Sequence, residues 1–433
     1  MNPVSAMLGD DRVEVKLHRG PRPEEDDLSL DLGDLEWFDG DGLGPEGLSA
    51  SGRDLLEIAR VVWEVERKQP KRISSRRLRR VEVAMALRRP EVWSMEATRC
   101  LSRILRMLGN AEWVFEFRAR SSETALDRRA EAAWREDNPV PAVSLFSGGL
   151  DSTSGLAWLQ SCLVHAARVS FYGPKAKQRK IAQEFASAPH FQIKCTWKTG
   201  ERHFGGQFQY RTILFLAIGG AVAQSFGASA IYQFENGPLA LAMPPTPIYR
   251  MTRHAHPALQ AEVEALFGHL FGHPIAIENP FLLKTKREIT TSMRSVLDGA
   301  ALRSVLSSTE TCWNLTSRRV LAAVEKPPGM PCGVCIPCIV RRAALPEDPL
   351  EHAINLSSRK VRATADPSAK LHLEAFLSWA RKMSAADYEL AEFTLGAPYV
   401  LREAISTGRG GLTYETAFDL YRRFARELLE TFT

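Results

Sequence analysis

The residues best suited to chemistry lie in SLFSGGLDSTSGLAWL, residues 144–159. A short apolar run ends in Ser147, Gly148 and Gly149, and a helical pattern resumes after Asp151. Adjacent glycines let a backbone turn sharply and expose its N–H groups. A helix beginning at Ser152 or Thr153 aims free N–H groups and its positive dipole end at the same spot. Ser147, Ser152 and Thr153 add hydroxyl donors, so the stretch predicts a cradle for an anion, phosphate above all. It is not a Walker loop, which needs a lysine in G-x-x-x-x-G-K-[ST], and it lacks the G-x-G-x-x-G of dinucleotide folds. A serine–glycine turn that merely caps a helix is the competing reading. Asp151 repels phosphate by itself, so its presence points to Mg2+ or to hydrogen bonds within the loop.

The second constellation is CGVCIPCIVRR, which sets Cys332, Cys335 and Cys338 at two successive C-x-x-C spacings. Cys312, in STETCWN, lies upstream and is the natural fourth ligand. Such crowding in a chain without a secretory pattern suggests metal before disulfides. Four thiolates make a closed tetrahedral Zn2+ site. An iron–sulfur cluster takes the same ligands, but nothing else in the chain suggests redox work, so zinc is preferred. Arg341 and Arg342 follow directly and are placed to offset the site's negative charge. Cys100, Cys162 and Cys195 are scattered and read as small buried hydrophobes.

These residues need a scaffold. AVSLF, ARVSFY, HFQIKCTW and ASAIYQF suit buried strands, with helical segments between them. Alternating strands and helices predict βαβ units and an α/β domain with a parallel sheet over residues 140–348. The glycine turn then sits at a strand's carboxyl end, where such sheets bind ligands. Ahead of it, DRVEVKLH, RRVEVAMAL and EWVFEFRA read as strands, and residues 51–68 and 94–108 as helices. They predict a small N-terminal α+β domain over 1–121, with residues 21–47 as a long acidic loop and 122–139 as a linker. Amphipathic segments over 349–433 predict a helical C-terminal region.

Bulk properties add limits. The chain has 433 residues, 45% apolar and 25% charged, with a net charge of +5. That is ordinary globular composition, and too weakly basic to call for nucleic acid as a direct ligand. The start MNPVSAMLGDDRVEVK lacks a secretory pattern. The longest apolar run, ILFLAIGGAVA from Ile213, is too short for a bilayer. A cytoplasmic chain with no membrane partner is expected.

S-G-G-x-D-S, as SGGLDS here, matches the signature of the PP-loop ATP pyrophosphatases. With C…C-G-x-C-x-x-C following in the same order, residues 141–346 resemble the 7-cyano-7-deazaguanine synthase (QueC) family. RTILFLAIGGAVAQSFGASAIY, PFLLKTKREI, TETCWN and CGVCIPCIVRRAAL resemble further stretches of it, and the Tyr172-Gly173 step is shared. The resemblance implies a Rossmann-like sheet of the adenine nucleotide α-hydrolase type. It implies that ATP is split between its α and β phosphates to adenylate 7-carboxy-7-deazaguanine. An amine then displaces AMP to give an amide; in the housekeeping enzymes the amine is ammonia, and a second ATP dehydrates the amide to a nitrile.

The sequence departs from that pattern. The gap between Cys312 and Cys332 is long, ENGPLALAMPPTPIYR follows IYQF, and PKAKQRK stands where Gln-Arg-His is expected. Flanking regions extend both ends. In these features the chain looks more like the QueC-like proteins of anti-phage defence, the QatC proteins of Qat and those of type IV CBASS. For that group the implied product is an amide between the deazaguanine and the N-terminal amine of a partner protein.

The resemblance implies roles. Ser147, Gly148, Gly149, Leu150, Asp151, Ser152, Thr153 and Tyr172 would hold ATP, with Mg2+, and Ser147, Asp151 and Arg211 would be catalytic. Arg211, at a helix start, would meet phosphate or the substrate carboxylate unless it is simply solvated. Glu235 and Asn236, at a strand's carboxyl end, either read the guanine-like edge or cap a turn. Lys284 is a further phosphate or substrate candidate, and Cys312, Cys332, Cys335 and Cys338 are the metal ligands. His254 and His256 are set aside as loop histidines, and no residue announces itself as a general base. Rival readings are RNA base thiolation or lysidine formation, and a scaffold without catalysis.

Overall fold

The computed structural model describes residues 10–18, 25–32, 35–38, 48–68, 79–109, 111–121, 140–171, 175–197, 210–242, 253–309, 312, 319–321, 324–325, 329–353 and 367–433. The N-terminal region builds β1 (Arg12–His18), β2 (Glu25–Asp31), β3 (Leu35–Phe38), α1 (Ala50–Lys68), β4 (Arg79–Leu87), α2 (Met95–Leu108) and β5 (Ala111–Ala119). Its sheet runs β2-β1-β4-β5, with β1 antiparallel to both neighbours and β4 parallel to β5. The acidic stretch 21–47, expected as a loop, contains two of these strands. In EDDLSLD the acids hide a period of two at Leu28 and Leu30, and Leu30 is buried. β3 leaves this sheet altogether.

The chain continues with β6 (Ala142–Leu145), α3 (Leu150–Ser161), β7 (Ala166–Phe171), α4 (Lys175–Gln183), β8 (His190–Trp197), α5 (Arg211–Phe226), β9 (Ala230–Tyr232), α6 (Gly237–Ala240), α7 (Pro257–Phe271) and β10 (Ala276–Glu278). The five strands β10-β9-β6-β7-β8 are parallel throughout, and β3 pairs antiparallel on the outer edge of β8. Every residue of β6 and β7 is buried, as in a parallel sheet covered on both faces. The sheet and its crossover helices were legible as βαβ units; β10, three residues long, was not.

Beyond β10 come α8 (Lys286–Thr291), α9 (Gly299–Ser308), β11 (Arg319–Leu321), β12 (Val324–Glu325) and α10 (Ile336–Ala344). The C-terminal region is helical: α11 (Pro367–Ser384), α12 (Leu390–Leu395), α13 (Tyr399–Ser406) and α14 (Tyr414–Phe432). One apolar core joins β1, β4 and β5 through α1 and α2 to α5 and α7 on the parallel sheet. Gly52 of α1 lets that helix approach α5, since a Cβ there would lie 3.1 Å from the Ala221 side chain. Trp113 of β5 donates its indole N–H to the Tyr210 hydroxyl at 3.1 Å. A second core packs the C-terminal helices against α10 and the cysteines. Among the described residues, no helix is long and apolar enough to cross a membrane.

Candidate functional site

From β6 the chain moves one way to β7 and β8 and then the other way to β9 and β10. The strand order therefore reverses between β6 and β9, the point at which open parallel sheets form their ligand crevice. Three chain segments leave the carboxyl ends of β6, β9 and β10 there, carrying residues 146–150, 233–236 and 279–285.

The glycine turn follows β6. Gly148 has φ of +77°, a left-handed conformation that favours glycine. The Ser147 carbonyl is held from behind: Gln178 Nε2 donates to it at 3.1 Å, and Gln192 Nε2 donates to Gln178 Oε1 at 3.1 Å. Ser147 Oγ accepts from the Gly149 amide at 3.2 Å and lies 3.1 Å from Ser152 Oγ. α3 starts at Leu150 with Gly149 as its N-cap, earlier than the sequence suggests, because Ser152 and Thr153 are already inside the first turn. Asp151 and Thr153 are buried, and Asp151 Oδ1 and Thr153 Oγ1 have no hydrogen-bond partner among the described residues.

Asp151 joins a network drawn from all three segments. Its Oδ2 accepts from Asn236 Nδ2 at 3.1 Å and from Lys286 Nζ at 3.0 Å. Asn236 also donates to Glu235 Oε1 at 2.7 Å, and its Oδ1 caps α6 through the Leu239 amide. Glu235 Oε2 lies 2.6 Å from His254 Nε2. Asn279 locks the Glu235 backbone, accepting from its N–H at 3.3 Å and donating to its carbonyl at 2.9 Å. Burial raises the Asp151 carboxyl; Lys286 opposes this and the charge of Glu235 adds to it. Burial also pushes Glu235 up, but hydrogen bonding with Asp151 and the attraction of His254 outweigh it and hold Glu235 low. The two acids thus titrate as a pair, with Lys286 facing Asp151 and His254 facing Glu235.

Two glycines set these distances. A Cβ at Gly155 of α3 would stand 2.1 Å from the Phe234 ring, so the missing side chain seats Phe234 and with it Glu235. A Cβ at Gly237 would stand 2.2 Å from the Leu282 carbonyl oxygen, so α6 can press against the segment that leads to Lys286.

Ser147, Asp151, Ser152, Glu235 and Asn236 therefore meet at one crevice, and Asn236 both caps a helix and binds the acids. Lys284 does not reach Asp151. Its ammonium lies 5.9 Å from the Phe281 ring centre, and its carbonyl accepts from the Gly237 amide at 2.8 Å. Lys286, two residues on, is the lysine that meets Asp151. The signal was present in TKRE: Thr285 and Glu288 form a capping box, which makes Lys286 the first helical residue. Arg211 opens α5 with its guanidinium 5.4 Å from the Phe215 ring centre and is not bonded to Asp151, Asn236 or Lys286. Tyr172 and residues 122–139 lie outside the described residues. His254, set aside as a loop histidine, belongs to the network. Sequence could not find it, because its link to Glu235 runs between segments.

The four cysteines form a second site. The sulfurs of Cys312, Cys332, Cys335 and Cys338 lie within 4.8 Å of one another, a group that can hold a metal ion such as zinc. Cys332 and Cys338 Sγ are 3.9 Å apart, close to the roughly 3.8 Å edge of a zinc–thiolate tetrahedron with 2.3 Å bonds. Gly333, at φ +84°, turns the first C-x-x-C, and the Cys335 amide donates to Cys332 Sγ at 3.3 Å. Hydrogen bonds from the other three thiols drive Cys332 far below the usual thiol range. Arg341 does not face the sulfurs as expected. It is buried against Asp348, which it binds through two nitrogens, and against Thr309 and the Leu306 carbonyl. Arg342 turns toward the Gly333 carbonyl at 3.5 Å and the Phe432 ring.

No model of a known protein family matches the chain, and no curated protein matches it. The chemistry must be read from the crevice itself. A helix N-terminus, the Ser147 hydroxyl and one buried ammonium converge there as donors and positive charge, which suits a phosphate chain. Asp151 and Glu235 add carboxylate oxygens beside it.

Proposed function

We propose that the chain is an ATP-dependent ligase that adenylates 7-carboxy-7-deazaguanine and joins it as an amide to the N-terminal amine of a partner protein in anti-phage defence. The observation that carries this reading is the SGGLDS turn at the strand-order reversal, with Asp151 tied to Asn236 and Lys286. In the first step a carboxylate oxygen attacks the α-phosphorus of ATP. The bond to the bridging oxygen breaks, and pyrophosphate leaves with the electron pair. Loop N–H groups, the hydroxyls of Ser147, Ser152 and Thr153, and the Lys286 ammonium stabilise that leaving group. Asp151, with one carboxylate oxygen lacking a partner, would hold the Mg2+ that accompanies ATP, which would add charge neutralisation. Glu235, kept ionised, accepts hydrogen bonds from the guanine-like edge, and Arg211 and Tyr172 complete the nucleotide and carboxylate contacts.

In the second step the amine's lone pair forms the C–N bond and AMP departs with the electrons of the C–O bond. The amine's proton passes to solvent or to the released phosphate. The four cysteines would hold structural zinc, and no step of this chemistry falls to them.

The test is incubation with ATP, 7-carboxy-7-deazaguanine and an ammonium salt, with and without candidate acceptor proteins, followed by AMP assay, small-molecule product analysis and intact-mass measurement. Equal amounts of AMP and acceptor carrying one deazaguanine amide are expected. Free nitrile as sole product would assign the ammonia-using synthase reaction instead, and no AMP under any condition would refute a ligase.

A further inference from the structure

Lys286 reaches Asp151 from a helix that the C-terminal region grips. Thr285, the wholly buried N-cap of α8, donates its hydroxyl to Glu427 Oε1 of α14 at 2.6 Å. The Thr285 hydroxyl oxygen also accepts from the Glu288 amide at 3.3 Å. On the other side of Lys286, Arg287 donates to the Ala343 carbonyl of α10 at 3.0 and 2.8 Å. It also bonds Glu430 at 2.6 Å, and the Glu427 carbonyl and Thr431 hydroxyl at 3.3 Å each, all in α14. Arg423 of α14 pairs with Glu288 and donates to the Leu283 carbonyl at 3.1 Å. Lys286 itself bonds to neither helix; its neighbours on both sides do.

That arrangement has a physical purpose. A lysine side chain is long and flexible, and it loses about 2 kcal/mol of rotamer entropy when fixed. A buried ammonium facing one carboxylate stays in register only if its backbone is fixed as well. A 1 Å error in a charge-stabilising group can cost about 100-fold in rate. α8 has six residues, too short to be stable alone, so its first turn depends on what holds it.

We infer that Glu427, through Thr285, and Arg287 are positioning residues that fix the first turn of α8 and so keep the Lys286 ammonium at the glycine turn. The C-terminal helical region is then part of the nucleotide site. This rests on the reading of that turn as a phosphate site.

Two readouts on the full chain test it. The first is acylation of Lys286 by a water-soluble succinimidyl ester, followed by peptide mass analysis. It reports the position of the ammonium whether or not ATP is used. In the wild type Lys286 is acylated slowly. In Glu427→Ala and Thr285→Val it reacts about tenfold faster, the size expected on losing one hydrogen bond to a charged group, and Thr285→Ser restores protection. The second is the KM for ATP in AMP formation, which rises about tenfold in the same variants while the KM for the deazaguanine carboxylate holds. Arg287→Lys, with retained melting temperature and metal content, serves if the stronger variants fail to fold, and it shows the same change in both readouts. Wild-type labelling rates and an unchanged KM for ATP in all folded variants would overturn the inference. A wild type that forms no AMP refutes the ligase reading alone, and the labelling still decides the positioning.

Discussion

Asp151 and Lys286 form a 3.0 Å ion pair in which the acid is 10% and the lysine 5% exposed. It closes the crevice between the turn after β6 and the start of α8. Removing one partner of such a pair strands the other charge, whereas removing both costs far less. Lys286→Met is therefore expected to lose about 3–5 kcal/mol of stability at neutral pH, read by urea unfolding. The double variant with Asp151→Asn should recover most of that loss. Equal stability of the single variant and the wild type would show that the pair does not hold the crevice.

His256 caps α7, accepting from the Ala258 amide, and its Nε2 lies 2.9 Å from the Val400 carbonyl. Burial, aided by the nearby positive Arg253, lowers its pKa from 6.5 to about 4. Below pH 6.5 the unfolded chain binds a proton that the folded chain refuses, so stability falls as pH drops from 6.5 to about 4. His256→Asn keeps a capping acceptor without the titration. Its melting temperature should fall less than the wild type's over that range; parallel curves would contradict this.

Gly155→Ala places a methyl group into the Phe234 ring. Overpacking of this kind costs about 1–3 kcal/mol, read as a lower denaturation midpoint. Because Phe234 precedes Glu235, the KM for the deazaguanine should rise as well. A stable variant with unchanged KM would separate this packing from the site.

Chelation, or Cys335→Ser, should remove one metal ion per chain as read by elemental analysis. The loss of several kcal/mol expected for a structural zinc site lowers the melting temperature by roughly 5–10 °C. A visible charge-transfer absorption from the purified protein would indicate iron–sulfur instead.

The glycine turn and the cysteines were legible because each is a local pattern. A strand, two glycines and a helix fix the turn, and C-x-x-C spacing fixes the thiols. What escaped was the meeting of segments. Lys286 rather than Lys284 faces Asp151 because Thr285 caps α8 between them. His254 touches Glu235 only because two loops converge at the strand-order reversal. β2 was obscured by its acids, and β3 shows itself only through pairing with β8. The helices of the C-terminal region were readable from their amphipathic spacing. Their hold on α8 was not, since it depends on Arg287, Arg423 and Glu427 reaching residues far away in the chain.

The central claim is that the turn after β6 activates a carboxylate with ATP. Its most direct measurement is exchange of labelled pyrophosphate into ATP, with and without 7-carboxy-7-deazaguanine and with no amine present. Exchange that requires the deazaguanine and is abolished by Asp151→Ala, in a variant that still melts cooperatively, is the predicted result. Exchange that proceeds equally without the deazaguanine, or survives Asp151→Ala, would contradict the account.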